Sequence, residues 1–180
     1  MQNIDRFKSN FIGGGARANL FELTWDDGPE GSVGVDLKEI TCKISSFPAS
    51  TLTPIPVQYQ GRTIKLAGTR PEYADWTITV MNDEDMEIRK ALEAWMDAIN
   101  RKEENVRGGA GMEYYKRTAQ INGLKKTGGF TAGYKFIGLF PIEIGEVSLD
   151  WSNDAIQEYT VTWAFDYFED LNSTGDRNNQ

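Results

Sequence analysis

The residues able to do chemistry are few and poorly matched to any catalytic pattern. The sequence has no histidine, which removes the commonest general base, the usual nucleophile activator and the most adaptable metal ligand together. Ser-His-Asp and Cys-His arrangements are therefore excluded. A single cysteine, Cys42, can form neither an intrachain disulfide nor a cysteine pair for zinc. Asp83-Glu84-Asp85 is an acidic run, but the glycine and the spaced ligands of a calcium loop are missing. At a helix start the same charges complement the dipole. Gly108-Gly109-Ala110-Gly111 lacks the Lys-Ser or Lys-Thr that a phosphate loop needs at a fixed offset. Paired carboxylates of the glycosidase kind remain chemically conceivable, yet no spacing singles out a pair. The expectation is a protein that is not an enzyme and uses no cofactor or metal.

What must be positioned, then, is a surface. The chain of 180 residues is 39 % hydrophobic and 12 % aromatic, enough for one packed core. Its 19 Lys and Arg against 27 Asp and Glu leave a net charge of −8, which argues against gripping phosphate backbones. No stretch approaches the roughly 20 apolar residues of a membrane span, and the isolated apolar residues Ile4, Phe7, Phe11 and Ile12 do not make a signal-peptide core. Gly13-Gly14-Gly15 closes an N-terminal arm, 1–16, and 170–180 is a polar tail, leaving 17–169 as the domain.

Within the domain the dominant period is two. Phe21, Leu23 and Trp25 alternate with Glu22 and Thr24; Ile40, Cys42 and Ile44 alternate with Thr41 and Lys43, which makes Cys42 a core thiol. Pro48, Pro54 and Pro56 argue for a long connection over Phe47 to Pro56, before Val57 and Tyr59, a Gly61 turn, and a short strand with Ile64 and Leu66. Trp76, Ile78 and Val80 form the next strand. One helix is expected over about 82–102, capped by Asn82 or Asp83, with Ile88, Leu92, Trp95, Met96 and Ile99 on one stripe and Arg101 and Lys102 at its end. Glu103 to Met112 reads as mobile. Strands follow at Tyr115 to Ile121 and Phe130 to Phe140. Ile142 and Ile144 are out of phase with Val147, Leu149 and Trp151, which predicts a β-bulge at Gly145–Glu146. A last strand runs from Glu158 to Phe168, joined to its predecessor as a hairpin through Ser152-Asn153-Asp154.

Three segments taken together carry a resemblance: Arg17-Ala18-Asn19-Leu20-Phe21-Glu22-Leu23, Trp76 to Asp85, and Leu149-Asp150-Trp151-Ser152-Asn153-Asp154 followed by Ile156 to Thr162. In these pieces and their order, over about Arg17 to Glu169, the chain resembles the tail tube proteins of contractile-tailed phages. The resemblance implies a mainly β (α+β) fold, a barrel-like antiparallel β-sandwich with one flanking helix and flexible arms. It also implies homo-hexameric rings stacked into a tube. The partners would be a sheath protein, a baseplate tube initiator, a tape-measure protein and a tail terminator. DNA would pass through without specific binding. The protein would be made in the host bacterial cytoplasm and carried in the virion tail.

The alternation bears on this independently. Long aromatic strands leave unpaired edges on a lone monomer, and closure across copies removes them. Glu146, Ser148, Asp150, Thr160, Thr162 and Asp166 lie opposite the aromatic face and are expected to line the channel. Inter-subunit contacts are expected from the N-terminal arm, from Phe47, Pro48, Pro54 and Pro56, and from Arg107 and Met112. Two other readings share the pattern: the tube of a contractile injection or secretion system that delivers protein, and a monomeric β-barrel that binds a small ligand.

Overall fold

The computed structural model describes Ile4, Ser9 and residues 15–26, 41–108 and 111–171. Its strands are β1 (Phe21–Trp25), β2 (Cys42–Ile44), β3 (Pro54–Tyr59), β4 (Arg62–Ala67) and β5 (Trp76–Met81). Helices α1 (Glu87–Ile99) and α2 (Met112–Tyr115) come next, then β6 (Arg117–Leu124), β7 (Phe130–Ile144), β8 (Glu158–Ala164) and β9 (Tyr167–Asp170). Seven strands form one curled antiparallel sheet in the order β1-β6-β7-β8-β5-β2, with β9 also paired to β7, and β3 and β4 stand apart as a two-stranded sheet.

The curl comes from β7, whose two halves serve different neighbours. Its first half pairs with β6 and β9, its second half with β8. Between them sits Gly138 at φ +74°, in the left-handed region. A Cβ there would come within 2.1 Å of an Asp166 carboxylate oxygen, so glycine is required on both counts. β8 and β9 follow the same edge of β7, parted at Phe165 and Asp166, and the Asp166 N–H donates to the Ile137 carbonyl across the break. The expected single strand from Glu158 to Phe168 is therefore two.

The concave side holds the core: Trp76, Ile78 and Val80 from β5, Tyr159, Val161 and Trp163 from β8, Ala119 and Ile121 from β6, Phe136 and Leu139 from β7, and Leu92 and Trp95 from α1. Rings join the two halves, with Trp76 stacked on Phe136 at 4.4 Å and Trp25 tilted against Trp163 at 4.8 Å. Each large side chain buried this way contributes about 1.5–3 kcal/mol. The expected barrel-like antiparallel fold with one flanking helix is the one observed.

Helix α1 is shorter than the expected 82–102. Met86 at φ 55° starts it late, while Asp83 still accepts the Glu87 N–H at 2.9 Å. That bond holds the Asp83 carboxyl below the usual carboxylate range. Arg101 and Lys102 lie beyond its C-cap, Asn100. The apolar stripe is as read, with Leu92 and Trp95 buried and the Trp95 indole N–H donating to the Tyr115 carbonyl.

Four further expectations are corrected. Pro54 and Pro56 lie inside β3, which proline tolerates because this strand is an edge. Ile44 is exposed and out of step with Cys42, because the β2–β5 register shifts between them; Ile40 lies outside the described residues. Tyr115 ends α2 and does not begin a strand. No bulge occurs at Gly145–Glu146: β7 ends at Ile144, the shift in its pairing with β8 falls between Pro141 and Glu143, and residues 145–157 are a connection without strand.

Candidate assembly surfaces

The β3–β4 hairpin is built by its turn. Gln60 and Gly61 both have positive φ, 46° and 75°, the pattern of a two-residue turn whose twist matches antiparallel strands. Register then pairs Ile55 with Leu66, Val57 with Ile64 and Tyr59 with Arg62. Side chains directly opposite share a face, so Ile55, Val57, Tyr59, Ile64 and Leu66 form one apolar face. Every residue of both strands is exposed, Tyr59 at 61 %. A hairpin of two strands with an uncovered apolar face is marginal in water.

A second apolar surface lies on the 145–157 connection. Its shape is fixed locally: Asp150 Oδ1 accepts the Ser152 N–H at 2.9 Å and the Ser152 hydroxyl at 2.8 Å, which lowers the Asp150 carboxyl's pKa. The Asn153 N–H donates to the Asp150 carbonyl, and Asn153 Oδ1 accepts the Ala155 N–H. This ordered turn nevertheless holds Leu149 at 77 % exposure and Trp151 fully in solvent, with Ile156 beside them also exposed.

The third surface is polar. Outside the core, β5 and β8 pair Thr77 with Thr162 and Thr79 with Thr160, a ladder of hydroxyls, and Glu143 of β7 stands opposite Thr162. At its margin Lys43 is bound to Glu158 at 2.5 Å. Thr160 and Thr162 are thus brought together on one face. Glu146, Ser148 and Asp150 lie on the connection that follows β7, and the Gly145 N–H ties that connection to the Thr160 carbonyl. Asp166 sits in the β8–β9 break, held by Lys116 at 2.6 Å.

The residues expected at contacts between copies are dispersed. The Phe47 ring packs on Tyr134 at 5.1 Å and against Gly123, although nearly half of the residue remains exposed. Pro48 is half-buried, and Pro54 and Pro56 lie on β3. Arg107 reaches the Tyr115 hydroxyl and bridges back to Asn100. Met112 opens α2, largely exposed. Sequence reasoning missed Ile55, Leu149 and Trp151 as surface residues. For Ile55 the signal was present, since Ile55, Val57 and Tyr59 alternate up to a Gln-Gly turn.

Three ionisable groups are displaced within the core and its rim. Burial pushes the Cys42 thiol up to about 11, consistent with its reading as an unreactive packed side chain. Burial likewise raises the Tyr159 phenol to about 12, against the opposing pull of Arg89, whose guanidinium lies 5.2 Å from the ring centre. Arg117 is buried over Trp95, and its pKa is lowered by desolvation. Among the described residues no group of three or more acidic or cysteine side chains could hold a metal ion, and no helix is long and apolar enough to cross a membrane.

The family model described as phage tail tube protein matches residues 10–170. The tail tube protein gp19 of Enterobacteria phage T4 is 36 % identical over 129 residues, 71 % of this chain and 78 % of that protein, and the gp19 of phage T6 matches equally. In fold, the chain is similar to the tube-terminating cap of the anti-feeding prophage, at a TM-score of 0.62 and 17 % identity over 86 % of this chain and 89 % of that one. It is also similar to a chain of the PVC extracellular contractile injection system's sheath-tube complex, at 0.54 and 12 % over 94 % and 98 %. With the family model matched over residues 10–170, the chain belongs to the phage tail tube protein family.

Proposed function

We propose that this protein is the structural subunit of the inner tube of a contractile phage tail, six copies closing into a ring and rings stacking into a channel for DNA. The observation that carries the reading is the uncovered apolar face of β3–β4 on a chain from a tube-forming family. A subunit with such a face is complete only against another copy. The 36 % identity to phage tube proteins favours a phage tail over an injection system of other cargo. The aromatic side chains that fill the space between the sheet halves weigh against a ligand-binding barrel.

The channel wall in this reading is the threonine ladder, with Thr160 and Thr162 at its centre and Glu146, Ser148, Asp150 and Asp166 beside it. The lysines of this face, Lys43 and Lys116, are taken up by Glu158 and Asp166, so the wall offers DNA little cationic grip, and at physiological salt a like charge is felt only over about 8 Å. Cargo is therefore kept sliding, not held. Leu149, Trp151 and Ile156, together with Phe47, Pro48, Arg107 and Met112, supply contacts to neighbouring copies, the sheath protein, the baseplate tube initiator, the tape-measure protein and the tail terminator. Negative-stain microscopy and sedimentation of the purified protein test the reading. Six-fold rings or tubes are expected, and a monodisperse monomer at every concentration would overturn it.

A further inference from the structure

The hairpin has two unlike edges. Pro54 and Pro56 stand opposite Ala67 and Lys65. Because proline has no N–H, those pairs must be the wide, unbonded ones, and the bonded pairs are Ile55 with Leu66 and Val57 with Ile64. Outward on β3 are then Pro54, Pro56 and Gln58, of which only Gln58 has a donor. Outward on β4 are Thr63, Lys65 and Ala67, all with free N–H and carbonyl groups. The β3 edge is blunted and the β4 edge is open.

The main sheet ends in a matching edge. The Leu124 N–H donates to the Leu20 carbonyl and the Asp26 N–H to the Thr118 carbonyl. The bonded pairs of β1 with β6 are therefore Glu22 with Asn122 and Thr24 with Gln120. Phe21, Leu23 and Trp25 point their backbone groups away from β6, three residues to meet three. Beneath the start of this edge is an apolar cavity of about 320 Å³, lined by Leu20, Phe21, Phe47, Ile121, Leu124 and Ala132 among others.

Resting on the tube reading, the geometry points to one contact: β4 of one copy adds to the β1 edge of a second copy, running parallel to it. Direction follows from the faces. Antiparallel addition puts outward residues opposite outward residues on a common face, so Lys65 would enter the core side and Ile64 and Leu66 would lie beside Glu22 and Thr24. Parallel addition places an outward residue beside an inward one. It aligns Ile64 with Phe21, at the cavity, and Leu66 with Leu23, and sets Lys65 beside Glu22, an opposite charge. Only the parallel arrangement matches apolar with apolar and cation with carboxylate.

Two measurements on the full chain test this. Hydrogen exchange of the wild-type protein, before and after assembly, is expected to slow the amides of Thr63, Lys65 and Ala67 by at least about tenfold, with Gln58 unchanged. Rings or tubes in which those three amides exchange as in the monomer overturn this contact and leave the tube reading standing. Absence of any ring or tube overturns the tube reading itself. In a Cys42→Ser background, Glu22→Cys combined with Lys65→Cys is expected to give a ladder of disulfide-linked oligomers on oxidation, since adjacent strands lie about 4.8 Å apart. Cross-linking by Leu23→Cys with Lys65→Cys instead would mean an antiparallel pair and would overturn the proposal. Should the cysteine variants fail to assemble, the exchange experiment on the unaltered chain decides.

Discussion

The β5–β8 pair and the β3–β4 hairpin are written in the same code and end in opposite circumstances. Both are antiparallel, six to seven residues long, and both place alternate apolar side chains on one face. In β5–β8 that face carries Trp76, Ile78, Val80, Tyr159, Val161 and Trp163, all buried beneath α1 and the other half of the sheet. In β3–β4 it carries Ile55, Val57, Tyr59, Ile64 and Leu66, all in solvent. Alternation specifies a face that wants cover. It does not say whether the same chain or another supplies it.

The contrast breaks most violently in the core. Trp163 is fully buried and touches the rings of both Trp25 and Trp95. Trp163→Ala should cost about 3–5 kcal/mol, seen as a large drop in the urea midpoint. A loss below about 1 kcal/mol would mean that the core is not closed by these rings.

Next in size is the kink that gives the sheet its curl. Gly138→Ala places a side chain at positive φ and drives a methyl into Asp166, a strain of about 1–3 kcal/mol. Denaturant unfolding measures it, and truncating Asp166 to Ala in the same chain should recover the part due to the clash but not the part due to φ. Full recovery would assign the whole cost to the carboxylate.

A smaller effect, confined to alkaline solution, separates core from surface by titration. Cys42 and Tyr159 have folded pKa values of about 11 and 12, above their ordinary 9 and 10. The unfolded chain loses these protons first, so stability falls as pH rises. Their contribution is intact below about pH 9, and it declines through pH 11 for the thiol and pH 12 for the phenol. Cys42→Val should remove the earlier part of that decline. An unchanged alkaline profile would show that the thiol titrates as freely in the folded protein as in the unfolded one.

How much of this was legible in the sequence divides along the same line. Strands covered by their own chain were read with the right faces: Leu23 and Trp25, Trp76 to Val80, Ala119 and Ile121, Tyr159 to Trp163, and the stripe Leu92-Trp95 of α1. The misreadings sit where local pattern and cover part company. Val147, Leu149 and Trp151 alternate like a strand, but Asp150 and Asn153 hydrogen-bond their own backbone and turn the segment. Pro54 and Pro56 suggested an irregular connection because a central strand excludes proline, whereas an edge whose N–H groups face outward accepts it. Of the surfaces proposed for assembly, the threonines of β8 were visible as a polar face, but their partners Thr77 and Thr79 emerge only from the β5–β8 register.

The smallest expected effect on the monomer is the most informative. Val57→Thr with Ile64→Thr keeps the β-branched shape and the strand preference of both positions while placing hydroxyls in the centre of the exposed hairpin face. Neither side chain contributes to the core cluster, so monomer stability should move by no more than about 0.5 kcal/mol. Assembly should fail or need far higher protein concentration, because the transfer of these two groups out of water would be lost at every interface of every ring. If instead the double variant forms tubes as readily as the parent, the hairpin face is not what a second copy covers. If it unfolds the monomer, the hairpin is already part of the folded unit, and the difference between the two strand pairs is one of degree.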